Sequence, residues 1–163
     1  MKKNIYLIAM VLCALVCACQ PQQSELKINS IKEKATIVGT VEYDEGYSSD
    51  GSIARNWVPA SNVTVIAKIN YSQYLDRTSS GFYAVKATTG TDGKYSLEVP
   101  VGERNLSVVV SCLPFYKNKY AWNYDDGKRI AISNALYNQS STVTVTAFSE
   151  YVATANISVT SLE

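Results

Sequence analysis

Apolar and polar residues alternate with a period of two along most of the chain beyond residue 35. Ile37, Gly39 and Val41 alternate with Val38, Thr40 and Glu42. Val63, Val65 and Ala67 alternate with Thr64, Ile66 and Lys68, and Tyr95, Leu97 and Val99 with Ser96 and Glu98. Val143, Val145 and Ala147 keep the same period within 142–148, as do Ala155, Ile157 and Val159 within 151–160. In an extended chain successive side chains point to opposite faces, so each run predicts a strand with one buried and one wet face. Leu106 to Leu113 is almost continuously apolar and predicts a central strand buried on both faces. β-Branched residues dominate the last two runs, and short strands divided by turn residues predict an all-β, antiparallel Greek-key β-sandwich of about seven or eight strands.

The stretch Thr88 to Pro100 carries the strongest turn chemistry. Gly93 follows Asp92 and can take a positive φ without a Cβ clash. If 82–89 and 94–99 pair as a hairpin, a two-residue loop sets Leu97 opposite Thr88 and Val99 opposite Lys86. A three-residue loop, 91–93, sets Leu97 opposite Ala87 and Val99 opposite Val85. A one-residue slip moves every side chain to the other face, so the apolar match favours the three-residue loop with Gly93 in the left-handed position.

Met1 to Ala18 changes the address of the protein. Lys2 and Lys3 precede an apolar run from Ile5 to Ala18 that is shorter than the ~20 residues a membrane-spanning helix needs. It predicts a signal helix. Val16-Cys17-Ala18-Cys19 resembles a bacterial lipobox, which implies cleavage before Cys19 and lipid on its thiol. Residues 1–18 are then a lipoprotein signal peptide, 19–34 a polar, flexible tether, and 35–163 the sandwich domain. No Asp follows Cys19, so the inner-membrane retention signal of enteric bacteria is absent and an outer-membrane place in the cell envelope is expected. Three of the four cysteines lie at 13, 17 and 19, which leaves Cys112 alone in the mature domain, as a small core residue without a disulfide. Removal of Lys2 and Lys3 leaves the chain close to neutral, which offers nothing to nucleic acid.

Thr89-Gly90-Thr91-Asp92-Gly93-Lys94-Tyr95 resembles the T-D-x-D-G-x-F/Y turn of carboxypeptidase regulatory-like domains, a transthyretin-like (Ig-like) β-sandwich family. Gly90 stands where that family usually has Asp. Ile37-Val38-Gly39-Thr40-Val41 resembles its opening strand, I-x-G-x-V, and 57–65 its entry to the second strand. Pro100-Val101-Gly102 resembles its step into the next strand. The resemblance covers roughly 35–113 and 142–160, in a lipoprotein of the Bacteroidota type, and implies a non-catalytic domain. It fits least at the aromatic-rich insert 114–141, where Ala121-Trp122 and Arg129 to Ile132 read as two arms of a hairpin turned by Asp125-Asp126-Gly127.

The chain has no histidine, which removes Ser-His-Asp and Cys-His machinery and the commonest zinc ligand. Glu42, Asp44, Glu45 and Asp50 cluster in sequence and are the basis of a carboxylate-only hydrolase, against the simpler reading of a wet loop. Those carboxylates, or Asp125 and Asp126, offer oxygen ligands to calcium, but neither set has the spacing of a calcium loop. No catalytic residue, metal or cofactor is therefore assigned. Glycosylation sequons at Asn62, Asn70, Asn105, Asn138 and Asn156 read as accidents of polar strand surfaces in a bacterial chain. Twelve tyrosines are the compositional oddity. Tyr116, Tyr120, Trp122 and Tyr124 lie among lysines and asparagines and are the candidate contacts for a sugar ring or an envelope protein. The simpler reading is that Tyr120, Trp122 and Tyr124 share one strand face and extend the core. The expected function is a lipid-anchored envelope module with a binding or structural role. A glycan-binding lipoprotein using the insert aromatics and a carboxylate hydrolase are the alternatives.

Overall fold

A computed structural model describes residues 27–75, 79–139 and 142–162. The signal helix and Cys19 lie outside the described residues. The chain is an all-β sandwich of two sheets, as the alternation predicts. The larger sheet is organised on β1 (Lys34–Asp44), a strand long enough to take two partners on each side. On one side β5 (Lys94–Pro100) pairs with its first part and β2 (Trp57–Pro59) with its last. On the other side β10 (Val152–Thr154) and then β11 (Ile157–Ser161) pair with it in parallel. The sheet continues through β8 (Lys128–Asn138) to β7 (Phe115–Asn123). The second sheet has four strands in the order β4 (Phe82–Thr88), β3 (Thr64–Asn70), β6 (Leu106–Cys112), β9 (Val143–Ala147). Eleven strands thus form among the described residues, more than expected, and the pairing of β1 with β10 and β11 makes the larger sheet mixed rather than purely antiparallel.

The inward positions named by periodicity build the core. Ile37, Val65, Leu97, Val99, Val108 and Val159 are each at most 1% exposed. Cys112 joins them as a buried core residue, its thiol pushed up to about 11 by burial. β6 departs from expectation. Its alternate positions Ser107, Val109 and Ser111 are exposed or half-buried, because the four-stranded sheet has only one face against the other sheet.

Gly39 marks the joint of the larger sheet. A Cβ there would overlap the carbonyl oxygen of Ala155. The same carbonyl accepts the Tyr95 hydroxyl proton, and Asn156 Oδ1 accepts the Thr40 amide at 3.1 Å. Gly39 thus makes room where the ladder to β1 is interrupted at 155–156, between β10 and β11, which keep one register on β1, and this is the close approach expected of a glycine inside a strand.

The expected hairpin of 82–89 with 94–99 does not form. β4 pairs with β3, whereas β5 pairs with β1, so the turn carries the chain from one sheet to the other. Leu97 lies opposite Ile37 and Val99 opposite Ala35. The faces were right and the partner was wrong: Val85 and Ala87 meet the core formed by Leu97 and Val99 across the sandwich, not beside them in one sheet. The turn itself is tight, with Gly90 donating to Lys94 O at 2.9 Å and Gly93 at φ 73°. The closing pair behaves alike: β9 and β10 lie in different sheets, joined through the Phe148–Tyr151 turn.

Residues 27–34, expected as tether, lie against the domain. Ile28 is 1% exposed, the Tyr83 hydroxyl donates to Asn29 Oδ1 at 2.8 Å, and the Val101 amide donates to Glu33 O at 2.9 Å. Ile28 supplies the reason: an aliphatic side chain at a sandwich end is stabilised by leaving water. β1 therefore begins at one pole, with the 100–106 and 148–151 turns. It ends at the other, roughly 35 Å away at ~3.3 Å per residue, beside the insert.

Candidate binding site

The insert forms the predicted hairpin. Trp122 lies opposite Arg129, Ala121 opposite Ile130, and Tyr120 opposite Ala131, with the turn at 124–127 and Gly127 at φ 60°. At its base the hairpin is locked to the sandwich by an aromatic cluster. Tyr137 is fully buried, stacks on Phe115 at 5.5 Å, meets Tyr43 edge-on at 5.0 Å, and donates from its hydroxyl to Asp44 O at 2.9 Å. Burial, with the neighbouring Tyr43 and Asp44, pushes the Tyr137 phenol up to about 12. A bulge between Lys117 and Lys119, with Asn134 at φ 58°, then resets the phase of β8.

Beyond the bulge the two faces differ. On one face lie Tyr120, Trp122, Arg129 and Ala131, and the 44–56 loop packs there. Gly46 bridges to Tyr120, whose amide donates to Glu45 O at 2.7 Å while the Tyr47 amide donates to Tyr120 O at 2.9 Å. The Arg129 guanidinium sits 3.4 Å over the Tyr120 ring, with Nη2 3.0 Å from Glu45 Oε1, a carboxylate that also accepts from Asn56 Nδ2 at 2.7 Å. A Cβ on Gly51 would come within 2.5 Å of the Trp122 ring, so the indole lies flat on bare backbone. Tyr47 covers part of the same ring and shares a 2.8 Å hydrogen bond with the Tyr124 hydroxyl, which holds the Tyr47 phenol above its ordinary range.

Of the four candidate aromatics, then, Tyr120 and Trp122 come together and are half-buried under the loop. Tyr124 belongs to the turn and is 76% exposed, and Tyr116 lies before the bulge at 64%. The other face continues the line of core residues Phe115 and Tyr137 past the end of the sandwich. It carries Ala121, Ile130 and Ile132, with Lys119 and Lys128 beside them, and the two isoleucines are 48% and 46% exposed. Sequence reasoning missed this strip, as well as Tyr47 and Gly51, and it named Glu45 only as a clustered carboxylate and not as the partner of Arg129. An alternating Ile130-Ala131-Ile132 reads as core by period, and nothing in the local pattern says that the opposing sheet has ended.

The clustered carboxylates do not converge. Asp44 accepts from the Gly46 amide at 3.0 Å, and Glu45 is held by Arg129 and Asn56. Asp50 accepts from the Ser48 hydroxyl and from the Ser52 hydroxyl and amide, which hold its carboxyl down at about 2. The Asp126 carboxylate accepts from Asn123 Nδ2 at 2.9 Å, while the Asp125 backbone amide donates to Asn123 Oδ1 at 3.0 Å. Among the described residues no group of three or more His, Cys, Asp or Glu side chains gathers in a metal-binding arrangement. No described helix is long and apolar enough to cross a membrane.

The fold and this arm define the class: a β-sandwich with a hairpin projecting from one pole. No family model matches the sequence, and no curated protein matches it. Among solved structures the chain is similar to the major plantain pollen allergen Pla l 1, at 13% identity and a TM-score of 0.40, covering 78% of this chain and 94% of that one. It is also similar to the shaft pilin SpaA of Lactobacillus rhamnosus GG, at 11% identity and a TM-score of 0.40, covering 80% of this chain. The chain spans about half the length of the pilin, 51%. At these values neither likeness speaks to ligand or activity.

Proposed function

We propose that this is a lipid-anchored cell-envelope module of the carboxypeptidase regulatory-like kind that works by binding, and that the projecting hairpin is its contact element. The observation that carries the reading is polar placement. The chain enters β1 at the pole nearest Cys19 in sequence, and β1 ends beside the hairpin at the opposite pole. A domain held by lipid on Cys19 presents the Ile130–Ile132 strip and Tyr124 away from its anchor. The family resemblance is supported by the way its motif residues work together, Tyr95 reaching across Gly39 to the Ala155 carbonyl.

A non-catalytic role is favoured by Asp44, Glu45 and Asp50, whose carboxylates are occupied by local donors. Asp50, with its carboxyl held low, is the opposite of a general acid. The glycan reading keeps support from exposed Tyr116 and Tyr124. Trp122 has one face taken by Gly51, so sugar stacking falls to the tyrosines.

Two measurements test the proposal. Cys19→Ser is expected to abolish membrane fractionation or maturation; a fully processed, membrane-bound variant refutes the anchor. Cross-linking to envelope proteins and glycan-array binding are then compared for the parent, an Ile130→Ser/Ile132→Ser variant and a Tyr116→Ala/Tyr124→Ala variant. Loss of protein cross-links in the isoleucine variant at unchanged melting temperature supports a protein partner, and loss of array signal in the tyrosine variant supports a glycan. Binding unchanged in both removes the hairpin as the contact element.

A further inference from the structure

The opposite pole carries its own exposed apolar groups. Phe148 and Tyr151 stack on each other at 4.1 Å and 17°, yet are 39% and 43% exposed, and Val152 beside them is 55% exposed. The turn that holds them is pinned to the start of β1, with Glu150 donating to Lys34 O and Thr36 to Tyr151 O, both at 2.9 Å. Phe82, 57% exposed, opens β4 opposite Asn70 at the same pole. In the four-stranded sheet it stands three strand spacings from β9, about 14 Å from the Phe148 turn. Stacked aromatics of this kind are stabilised at a membrane–water interface, where the ring leaves water and a hydroxyl stays wet.

We infer that this pole rests on the lipid surface, with Phe148, Tyr151 and Phe82 entering the headgroup boundary. The inference rests on the lipid-anchor reading. Eight residue steps separate Cys19 from Lys27, at most about 29 Å when fully extended, and from Lys27 onward the chain lies against this pole. A lipidated Cys19 therefore cannot let the pole stray far, and the exposed rings are the groups that gain by closing the gap. Charge at this pole is mixed, with Lys34 paired to Glu98 at 3.1 Å and Glu150 in the turn itself, so the contact is apolar and does not select anionic lipid.

The native tryptophans make the test direct. Trp57 pairs with Asp44 and Trp122 lies in the hairpin, so both sit at the far pole. The mature protein, lipidated on Cys19, is reconstituted in neutral phosphatidylcholine vesicles with or without brominated acyl chains. The parent is expected to show little quenching. Phe148→Trp, Tyr151→Trp and Phe82→Trp are each expected to add emission quenched at least twofold by the brominated lipid, equally at high salt and with anionic lipid; Tyr124→Trp is expected to add none. If the added tryptophans stay unquenched in vesicle-bound protein whose intact mass shows lipid on Cys19, the pole inference is overturned and the anchor stands. If the mass shows no lipid on Cys19 and the protein stays off the vesicles, the anchor reading fails and this inference falls with it.

Discussion

A methyl group on Gly39 has nowhere to go, because the Ala155 carbonyl occupies its place and the Tyr95 hydroxyl lies 2.9 Å away. Gly39→Ala forces backbone apart in the middle of the larger sheet, and a loss of about 3 kcal/mol in urea unfolding is expected. At Gly93 two effects act together: φ is 73°, and a Cβ would lie 2.7 Å from Val41 O. Gly93→Val is expected to cost at least about 2 kcal/mol, the left-handed penalty plus the clash. Gly127 is the control. Its φ is 60°, but nothing lies within 4 Å of its Cβ position, so Gly127→Ala keeps only the conformational cost of about 1 kcal/mol. Leu97→Ala, in the core, is expected to cost about 2–5 kcal/mol. Glu98→Ala removes only an exposed ion pair with Lys34, worth under about 1 kcal/mol. A larger loss for Glu98→Ala inverts the face of β5.

At the scale of the element, the 44–56 loop and the hairpin hold each other. Trp122→Ala strips the indole from Gly51 and Tyr47 and is expected to speed amide exchange of 46–53 while leaving β3 and β6 amides unchanged. Uniform exchange changes over both regions refute a local role. The same loop has a pH signature. The carboxyl of Asp50 is held near 2, below its ordinary 3.8, so its contribution is present above 3.8 and is lost as pH falls through 2. Loop ordering, read by the fluorescence of nearby Trp122, is expected to fall across that window, and Asp50→Asn is expected to flatten the response.

The whole molecule responds at the opposite end of the scale. Burial pushes the phenols of Tyr95 and Tyr137 up to about 12 from the ordinary 10. A raised tyrosine favours the neutral form, so the stability is complete below 10 and is lost as pH rises through 12. Alkaline unfolding is expected to be cooperative between these values, and Tyr137→Phe, which also frees the hairpin base, is expected to remove part of the steepness. Cys112 is buried and free, so the melting temperature of the domain is expected not to move with reductant. A drop in reductant would mean a disulfide that joins copies of the chain.

Periodicity determined which side of the alternating strands β1, β3, β5, β9 and β11 meets the core, because an extended backbone throws successive side chains to opposite faces whatever its neighbours are. Turn chemistry determined the Asp92–Gly93 bend and the insert hairpin, since a positive φ is a local matter. Partners were another question. A strand such as β5, apolar on one face, buries that face equally well beside β4 in one sheet or across the sandwich from it, and the sequence carries no term that separates the two. Tertiary structure decided in favour of β1, where Gly39 admits the Tyr95 hydroxyl and the Ala155 carbonyl into one joint. It also decided where the core stops. Ile130 and Ile132 have the period of buried residues and are exposed only because the hairpin outruns the opposing sheet. Whether an apolar side chain is core or contact surface depends on what stands across from it, and that is a property of the packed molecule, not of the chain.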